Sequence, residues 1–446
     1  MKVKRFQDIY FNKKMGNWNR EFKFNYFSYD SRDIKKNTLF LAHKGEHYDA
    51  NKDVIKAINK GASAVIAETA DYFDKNIEVP VLISDDVKRT IIDIVKYLRN
   101  DNKEQKIIGI TGTVGKTTTK DILYSVLSVK HDIAKTEGNL NTEWGVPKTY
   151  LSNINKKINI IEMGMDHPDD IKKLTKAVIP DYTILTNITP VHLLYMEDMQ
   201  TIYLGKTDIF RYSKKNSFDL MNGDNKFKKR AKKEFDNLKF YGLNEGHDYR
   251  IDILSENNKI EFKYDGEKYS AEIWGRFNLY NILPALIIGK KLGLTKAEIQ
   301  KGLDNIILSS KRMEVVEKND RVLINDSYNA SPEAVKNIID EVKIKYKGLK
   351  KIFFLGDMLE LGKFSMKYHE EIIEYLNSSI KNKDVYFVGK EFLNFEDKYE
   401  DYKFFKNKNE LINKIENISL DGDIYIFKGS RSMQIEKIYE NILRRI

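Results

Sequence analysis

Cysteine is absent from the 446 residues of this chain, so disulfide bridges and cysteine-ligated zinc are excluded. No apolar stretch approaches the ~20 residues that a membrane-spanning helix needs. The first residues, Met1–Asp8, lack the apolar core of a signal peptide. Low-complexity tracts and short-period repeats are missing as well. These absences predict a cytoplasmic globular protein that does not insert into a membrane.

The chain has a net charge of +10 although it contains 66 acidic residues. Such a balance favours either nucleic-acid binding or an enzyme that takes anionic substrates. The basic residues are scattered among acidic ones, and runs such as Lys228–Lys233 are typical of solvated faces. We therefore favour anionic small molecules as partners and keep a nucleic-acid binder as the alternative.

The length predicts about three domains of roughly 150 residues each. Residues 1–100 are predicted to form a small α/β unit. Its expected strands are Thr38–Ala42 and Ala64–Ala67, and its expected helices are Val54–Gly61 and Thr90–Leu98. The polar segment Arg99–Gln105 is predicted to be a linker.

Strand-length apolar runs alternate with helical segments through the rest of the chain. In residues 101–310, Asn159–Met163 and Tyr182–Thr186 flank the helical segment Asp169–Ala177, a pattern typical of a parallel sheet with crossover helices. The pattern restarts in residues 311–446, with expected strands at Val322–Asn325, Lys351–Leu355, Val385–Val388 and Ile424–Phe427. The fold class is therefore α/β, and functional groups are expected at the carboxyl ends of the strands.

The most informative segment is Gly109–Thr119, which reads Gly-Ile-Thr-Gly-Thr-Val-Gly-Lys-Thr-Thr-Thr. It lies between an apolar strand signal and the amphipathic run Lys120–Leu127. Strand, glycine-rich turn and helix are the context of a phosphate-binding loop, whose backbone N–H groups point at the phosphate. Lys116 is expected to reach the β- and γ-phosphates of a nucleotide, and the Thr117 hydroxyl to bind Mg²⁺. Ile110 stands where the general motif has its first glycine.

Other candidate residues lie in turns that follow strands. Glu162 ends an apolar strand, where a carboxylate is either a metal ligand or a surface group. His192 and Lys206 each have a plain structural or surface interpretation if taken alone. Strand-end loops that fit a substrate crevice are Asp326–Pro332, Gly356–Gly362 and Lys428–Arg431.

Taken in order, these segments resemble the Mur ligases, ATP-dependent amide-forming enzymes of peptidoglycan synthesis. The resemblance covers nearly the whole chain. The matching blocks are Asp30–Arg32, Leu39–Ala42, Lys44–Glu46, Thr111–Thr118, Asn139–Pro147, Glu162–Gly164, Asn187–His192, Gly275–Asn278, Asn281, Arg312, Asp326–Pro332, Leu355–Gly362 and Lys428–Arg431.

The resemblance implies a three-domain architecture. An N-terminal domain over residues 1–100 would bind the UDP-linked substrate. A central P-loop domain with a parallel sheet, over 101–310, would bind ATP. A Rossmann-like C-terminal domain over 311–446 would bind an incoming dipeptide, and the protein is expected to be a monomer.

Two blocks indicate the dipeptide-adding member of the family. Asp326–Pro332 and Leu355–Gly362 resemble its motifs, whereas the motifs of an amino-acid-adding relative are missing. The implied reaction joins D-alanyl-D-alanine to a UDP-N-acetylmuramoyl-tripeptide at the expense of ATP. An amino-acid-adding Mur enzyme or a folate-polyglutamate ligase is the alternative.

The resemblance also implies roles for individual residues. Lys116, Lys206, His192 and Arg312 would be the catalytic groups. ATP would be held by Gly112, Thr113, Gly115, Lys116, Thr117 and Thr118, by Asn278 and Asn281 at the adenine, by Arg312 at the γ-phosphate and by Asp326 at the ribose. Two Mg²⁺ ions are expected, one on Thr117 and Glu162 and the other on His192 and a carbamylated Lys206. Ser31 and Arg32 would contact the uridine diphosphate, and Tyr328, Asn329 and Asp357 the dipeptide.

Overall fold

The N-terminal part of the chain folds around a mostly parallel sheet. The computed structural model describes residues 1–74, 76–191, 193–256, 259–309, 312–418 and 420–446. The first five strands are β1 (Lys13–Gly16), β2 (Tyr26–Ser28), β3 (Thr38–Ala42), β4 (Ala62–Ala67) and β5 (Pro80–Ile83). They lie in the order β1-β5-β4-β3-β2, with β1 antiparallel to β5 and the other pairs parallel. The accompanying helices are α1 (Val54–Asn59) and α2 (Val87–Asp101).

The central part is built on a seven-stranded parallel sheet in the order β12-β11-β10-β9-β6-β8-β7. Its strands are β6 (Lys106–Thr111), β7 (Ile133–Lys135), β8 (Ile158–Glu162), β9 (Tyr182–Leu185), β10 (Phe218–Asn222), β11 (Lys239–Gly242) and β12 (Tyr249–Arg250). The intervening helices are α3 (Lys116–Leu127), α4 (Gly145–Ser152), α5 (Asp170–Val178), α6 (Leu193–Met196), α7 (Met199–Arg211) and α8 (Lys228–Glu234).

A three-stranded antiparallel sheet follows the central sheet along the chain. Its strands are β13 (Asp252–Glu256), β14 (Ile260–Tyr264) and β15 (Glu267–Ala271). Two helices come next, α9 (Leu279–Lys291) and α10 (Lys296–Asp304). The exposed and buried residues of β14 alternate strictly, as expected for a sheet that covers the core with one face.

The C-terminal part has a six-stranded sheet in the order β16-β17-β21-β18-β19-β20. Its strands are β16 (Glu314–Lys318), β17 (Arg321–Asp326), β18 (Lys351–Gly356), β19 (Lys383–Val388), β20 (Lys403–Phe405) and β21 (Ile424–Lys428). Only the edge strand β16 runs antiparallel to its neighbour. Its helices are α11 (Pro332–Lys345), α12 (Ser365–Ser379), α13 (Lys390–Leu393), α14 (Lys408–Lys414) and α15 (Glu436–Arg445).

The predicted α/β class and the parallel central sheet are confirmed. The inner strands are near-continuous apolar runs because crossover helices cover both faces of the sheet. β8 and β18 are buried along their whole length. In the described part of the chain, no helix is both long and apolar enough to cross a bilayer. The domain bounds stay a prediction.

The predicted linker Arg99–Gln105 is wrong at its start. Helix α2 continues to Asp101, and Arg99 is buried. The Arg99 guanidinium donates to the Asp181 carboxylate at 2.7 Å and to the Val178 carbonyl at 2.9 Å. The start of this polar segment therefore connects helix α2 to the central sheet, because the charge of Arg99 is paired with Asp181 within the core.

Candidate active site

A cavity of about 840 Å³ lies between the central and C-terminal sheets. Strand ends line it from both sides, as expected for parallel α/β sheets. We call its two sides the central wall and the C-terminal wall. The central wall includes Gly115, Lys116, Thr117, Glu162, Asn187, Asp224, Asn278 and Asn281, and the C-terminal wall includes Arg312, Asp326, Tyr328, Asn329, Glu360, Lys428 and Arg431.

The loop between β6 and α3 has the geometry of an anion cradle. Gly112 and Gly115 have φ angles of 151° and 85°, which disfavour residues with a side chain. A Cβ at Gly112 would lie 1.9 Å from Oγ1 of Thr186, so the loop also packs too closely for one. No side chain caps the start of α3. The first N–H groups of this helix are therefore available to a phosphate.

Lys116 is folded back onto this loop. Its Nζ donates to the carbonyl oxygens of Gly112 at 2.7 Å and Thr113 at 3.1 Å. Burial lowers the pKa of Lys116; the Glu162 carboxylate opposes this effect and Arg312 adds to it. An anion bound in the cradle would offset that desolvation.

The Glu162 carboxylate is 2% exposed, so its interpretation as a surface group is wrong. It accepts hydrogen bonds from Oγ1 of Thr117 and from Nδ2 of Asn141, each at 3.0 Å. The Lys120 ammonium lies 3.6 Å from its Oε2. The predicted ligands Thr117 and Glu162 thus lie in contact, with two supporting side chains that sequence reasoning missed.

Lys206 is also buried, at 2% exposure, so its interpretation as a surface lysine is wrong. Within the described residues, its ammonium makes no hydrogen bond or ion pair. Burial lowers the pKa of Lys206 well below its usual value, and the charge of Lys116 lowers it further while Asp166 opposes. His192 lies outside the described residues. Among those that are described, no group of three or more acidic or histidine side chains could hold a metal ion.

Asn278 and Asn281 lie beneath the glycine-rich loop at the start of α9. Asn281 donates to the Asn278 side chain at 2.7 Å and accepts from Thr119 at 3.1 Å. Asn278 donates to the Trp274 carbonyl at 2.8 Å. Both line the cavity, but these bonds already use much of their hydrogen-bonding capacity.

A hydrogen-bonded group beside α9 was not predicted. The Asp224 carboxylate contacts Nε2 of His247 at 2.7 Å and accepts from the Tyr280 hydroxyl at 2.9 Å. Asp224 and Tyr280 line the cavity. The three residues are far apart in the chain, and no local motif links them.

On the C-terminal wall, Arg312 lies over the Tyr328 ring, with its guanidinium carbon 3.9 Å from the ring centre. Its Nε is buried with no hydrogen-bond partner among the described residues. Asp326 and Lys428 are paired by strand register and form an ion pair. Lys428 also donates to the Asn329 carbonyl at 3.0 Å.

Asp357 does not line the cavity. Its carboxylate accepts from the backbone N–H groups of Glu391 at 3.0 Å and Phe392 at 3.1 Å, at the start of α13. The Asp357 pKa is raised by burial, an effect that these backbone hydrogen bonds oppose. The structure therefore gives its predicted dipeptide contact no support.

Ser31 and Arg32 also lie outside the lining of the cavity. The Ser31 hydroxyl donates to the Asp53 carboxylate at 2.5 Å. The Arg32 side chain is 85% exposed, and its guanidinium donates to the Asp30 carboxylate through Nη2 at 2.7 Å and through Nε at 2.9 Å. These hydrogen bonds, together with one from the Arg32 backbone N–H at 2.8 Å, hold the pKa of Asp30 at about 2. The Arg32 guanidinium keeps further donors for an anion.

Two protein-family models match the chain, the Mur ligase middle domain over residues 110–289 and the Mur ligase glutamate ligase domain over 311–431. The UDP-N-acetylmuramoyl-tripeptide–D-alanyl-D-alanine ligase of Bacillus subtilis is 29% identical over 434 residues, which cover 93% of this chain and 92% of that protein. The protein of the same name from Borreliella burgdorferi is 30% identical over 444 residues, 94% of each chain. The crystal structure of the MurF ligase from Thermotoga maritima in complex with ADP matches with a TM-score of 0.80 and 28% identity, over 95% of this chain and 99% of that one.

Proposed function

Because this chain belongs to the Mur ligase family, we infer that its cavity joins a carboxylate to an amine at the expense of ATP. The reaction is the ligation of D-alanyl-D-alanine to UDP-N-acetylmuramoyl-tripeptide, the activity in the names of its relatives from Bacillus subtilis and Borreliella burgdorferi. It builds the pentapeptide precursor of peptidoglycan. The carrying observation is that one cavity brings Lys116 of the glycine-rich loop together with Arg312 of the C-terminal wall.

The chemistry proceeds through an acyl phosphate. The terminal carboxylate of the tripeptide attacks the γ-phosphorus of ATP, and ADP leaves. The amine of the dipeptide then attacks the acyl carbon, and inorganic phosphate leaves from the tetrahedral intermediate while the amine loses a proton. Phosphoryl transfer depends mainly on positioning and charge neutralisation, which Lys116 and Arg312 provide.

The donor set at the loop fits Mg²⁺. Thr117 and Glu162 offer a hydroxyl and a carboxylate oxygen, the hard ligands that this ion prefers, and they already lie 3.0 Å apart. Bound there, Mg²⁺ would neutralise charge on the phosphates. Asn141 and Lys120 hold the Glu162 carboxylate in place.

Lys206 is proposed to act as a carbamate. Its neutral amine would add to CO₂ with release of one proton, giving an anionic oxygen ligand. An unpaired buried ammonium is costly, whereas a carbamate bound to a cation is not. The lowered pKa of Lys206 supports the neutral amine that this addition requires. His192 would complete a second metal site.

The remaining assignments extend the proposal. Asn278, Asn281 and Asp326 would contact the adenosine, Ser31 and Arg32 the uridine diphosphate, and Tyr328 and Asn329 the dipeptide. Residues 1–100, 101–310 and 311–446 would be the domains for the UDP-linked substrate, ATP and the dipeptide. The protein would act as a monomer in the cytoplasm.

Acceptor-dependent release of phosphate from ATP tests the function. With UDP-N-acetylmuramoyl-tripeptide present, D-alanyl-D-alanine is expected to stimulate release strongly, and single amino acids are not. Stimulation by a single amino acid alone would instead indicate an amino-acid-adding ligase. Stimulation by glutamate with a folate substrate would indicate a folate-polyglutamate ligase.

A further inference from the structure

The acceptor dipeptide carries a carboxylate at the end opposite its attacking amine. If the proposed function holds, the cavity must present a cation to this carboxylate, because a desolvated anion is costly without a partner. That cation must lie apart from the groups that hold the transferring phosphate.

The basic side chains that line the described part of the cavity are Lys116, Lys226, Arg312, Lys428 and Arg431. Lys116 and Lys226 belong to the central wall, where ATP is expected. Lys428 is buried and paired with Asp326. Arg312 is assigned to the γ-phosphate. Arg431 therefore remains, on the C-terminal wall.

The backbone before Arg431 is held by hydrogen bonds, whereas the Arg431 guanidinium is accessible to a ligand. The preceding residue, Ser430, donates its N–H to the Asp357 carbonyl at 3.1 Å and accepts from the Leu359 N–H at 2.8 Å. The Arg431 side chain is 55% exposed, and its Nη1 donates to Glu436 at 2.8 Å. No other hydrogen bond within the described residues engages the guanidinium, so most of its five N–H donors remain for a ligand.

Arg431 lies close enough to Arg312 for a dipeptide to bridge the two guanidinium groups. The two guanidinium carbons lie 3.9 and 5.9 Å from the centre of the Tyr328 ring, and are therefore less than about 10 Å apart. Two extended residues span about 7 Å. A dipeptide whose amine reaches an acyl phosphate at Arg312 thus has its carboxylate within reach of Arg431.

We propose that Arg431 binds the terminal carboxylate of the acceptor dipeptide and so selects acceptors that end in a free carboxylate. A guanidinium presents parallel N–H groups that match a carboxylate. Tyr328, whose ring lies near both guanidinium groups, would lie against the dipeptide backbone.

The test compares D-alanyl-D-alanine with its C-terminal amide, which keeps the amine and lacks the carboxylate. In the wild-type protein the KM for the amide is expected to exceed that for the dipeptide by about tenfold or more, the usual effect of losing a charge-assisted hydrogen bond. Arg431→Ala is expected to raise the KM for the dipeptide by a similar factor and to leave the KM for the amide within about twofold. The KM for ATP should not change, and Arg431→Lys should restore part of the selectivity.

Glu436→Gln is the matched control, because it removes the charge of the ion pair and keeps the cation. Glu436→Gln should leave the KM for the dipeptide within about threefold of the wild-type value. If the ion pair had only a structural role, Glu436→Gln would instead raise this KM as Arg431→Ala does. Equal rises of both acceptor KM values in Arg431→Ala, or a wild-type protein that does not distinguish the amide, would overturn the proposal. A wild-type protein with no turnover on either acceptor would overturn the proposed function and this inference with it.

Discussion

The two walls of the cavity differ in how their polar groups are satisfied. On the central wall, the Glu162 carboxylate is held by Thr117 and Asn141, and the Asn281 side chain by Asn278 and Thr119. On the C-terminal wall, Arg312 keeps a buried Nε without a described partner and Arg431 is largely exposed. The central wall is thus preorganised for its ligand, whereas Arg312 and Arg431 of the C-terminal wall keep N–H donors that a substrate can use. Lys206 is the exception, a buried amine without a described partner beside the central wall.

The largest expected effect comes from removing Lys116, the cation of the glycine-rich loop on the central wall. Lys116→Ala should lower kcat by at least about a thousandfold, since no other side chain of that loop can neutralise the transferring phosphoryl group. Dipeptide-dependent phosphate release measures it. Lys232→Ala, at an exposed position of α8, is the control and should keep full activity. More than a tenth of wild-type activity in Lys116→Ala would show that the loop is not the catalytic phosphate site.

Substitution of Lys206 is expected to give the next largest loss of kcat. Lys206→Ala should lower kcat by about a hundredfold or more, because the proposed carbamate ligand would be lost. Lys206→Arg should be equally inactive, since a guanidinium keeps the charge and cannot form the carbamate. ¹³C NMR in labelled bicarbonate should show a carbamate signal in the wild-type protein and none in Lys206→Ala. Full activity in either variant would refute the carbamate ligand, and melting curves would exclude misfolding as the cause of a loss.

Local motifs predicted much of the central wall, and long-range contacts account for what was missed. The glycine-rich loop and Thr117 could be assigned because strand, turn and helix are consecutive in the chain, and Glu162 because it ends an apolar strand. Asn141 was missed because its contact with Glu162 depends on how two strand-end loops fold together. Asp357 resembled a cavity residue, but its carboxylate caps a helix more than 30 residues later. The burial of Lys206 could not be predicted from α7 alone, since a lysine on a helix is usually solvated.

A pair of glycines tests how tightly the central wall is packed. Gly112 and Gly138 both have positive φ angles, but only Gly112 has atoms within 4 Å of an added Cβ. Gly112→Ala should lower the free energy of unfolding by about 3 kcal/mol and weaken ADP binding, because backbone strain and a clash add. Gly138→Ala should cost about 1 kcal/mol through strain alone. Urea unfolding and calorimetry measure both effects, and equal losses would contradict the close packing at Gly112.

The smallest expected effect lies under the C-terminal wall, where His369 supports the loop that carries Glu360. His369 is fully buried, and its Nε2 accepts from the Met358 N–H at 3.0 Å. Burial lowers the His369 pKa, although a hydrogen bond to the Ser365 backbone and the charges of Asp357 and Glu391 oppose this. The histidine is therefore neutral in the folded protein, and protonation would remove the acceptor for Met358.

The sign of the pH effect follows from this lowered pKa. Below the unfolded pKa of about 6.5, the unfolded chain binds a proton that the folded protein does not. The contribution of His369 to the free energy of unfolding should therefore be fully present above about pH 6.5. Below that pH the free energy of unfolding should fall by at most about 1.4 kcal/mol per pH unit. His369→Gln keeps an acceptor and cannot titrate, so its unfolding free energy should vary less between pH 7 and 5. The raised pKa of Asp357 changes the stability in the opposite direction as the pH falls. The measurement is therefore the difference in unfolding free energy between the wild-type protein and His369→Gln at each pH. If the unfolding free energies of both proteins had the same slope against pH, His369 would not support the loop in its neutral form.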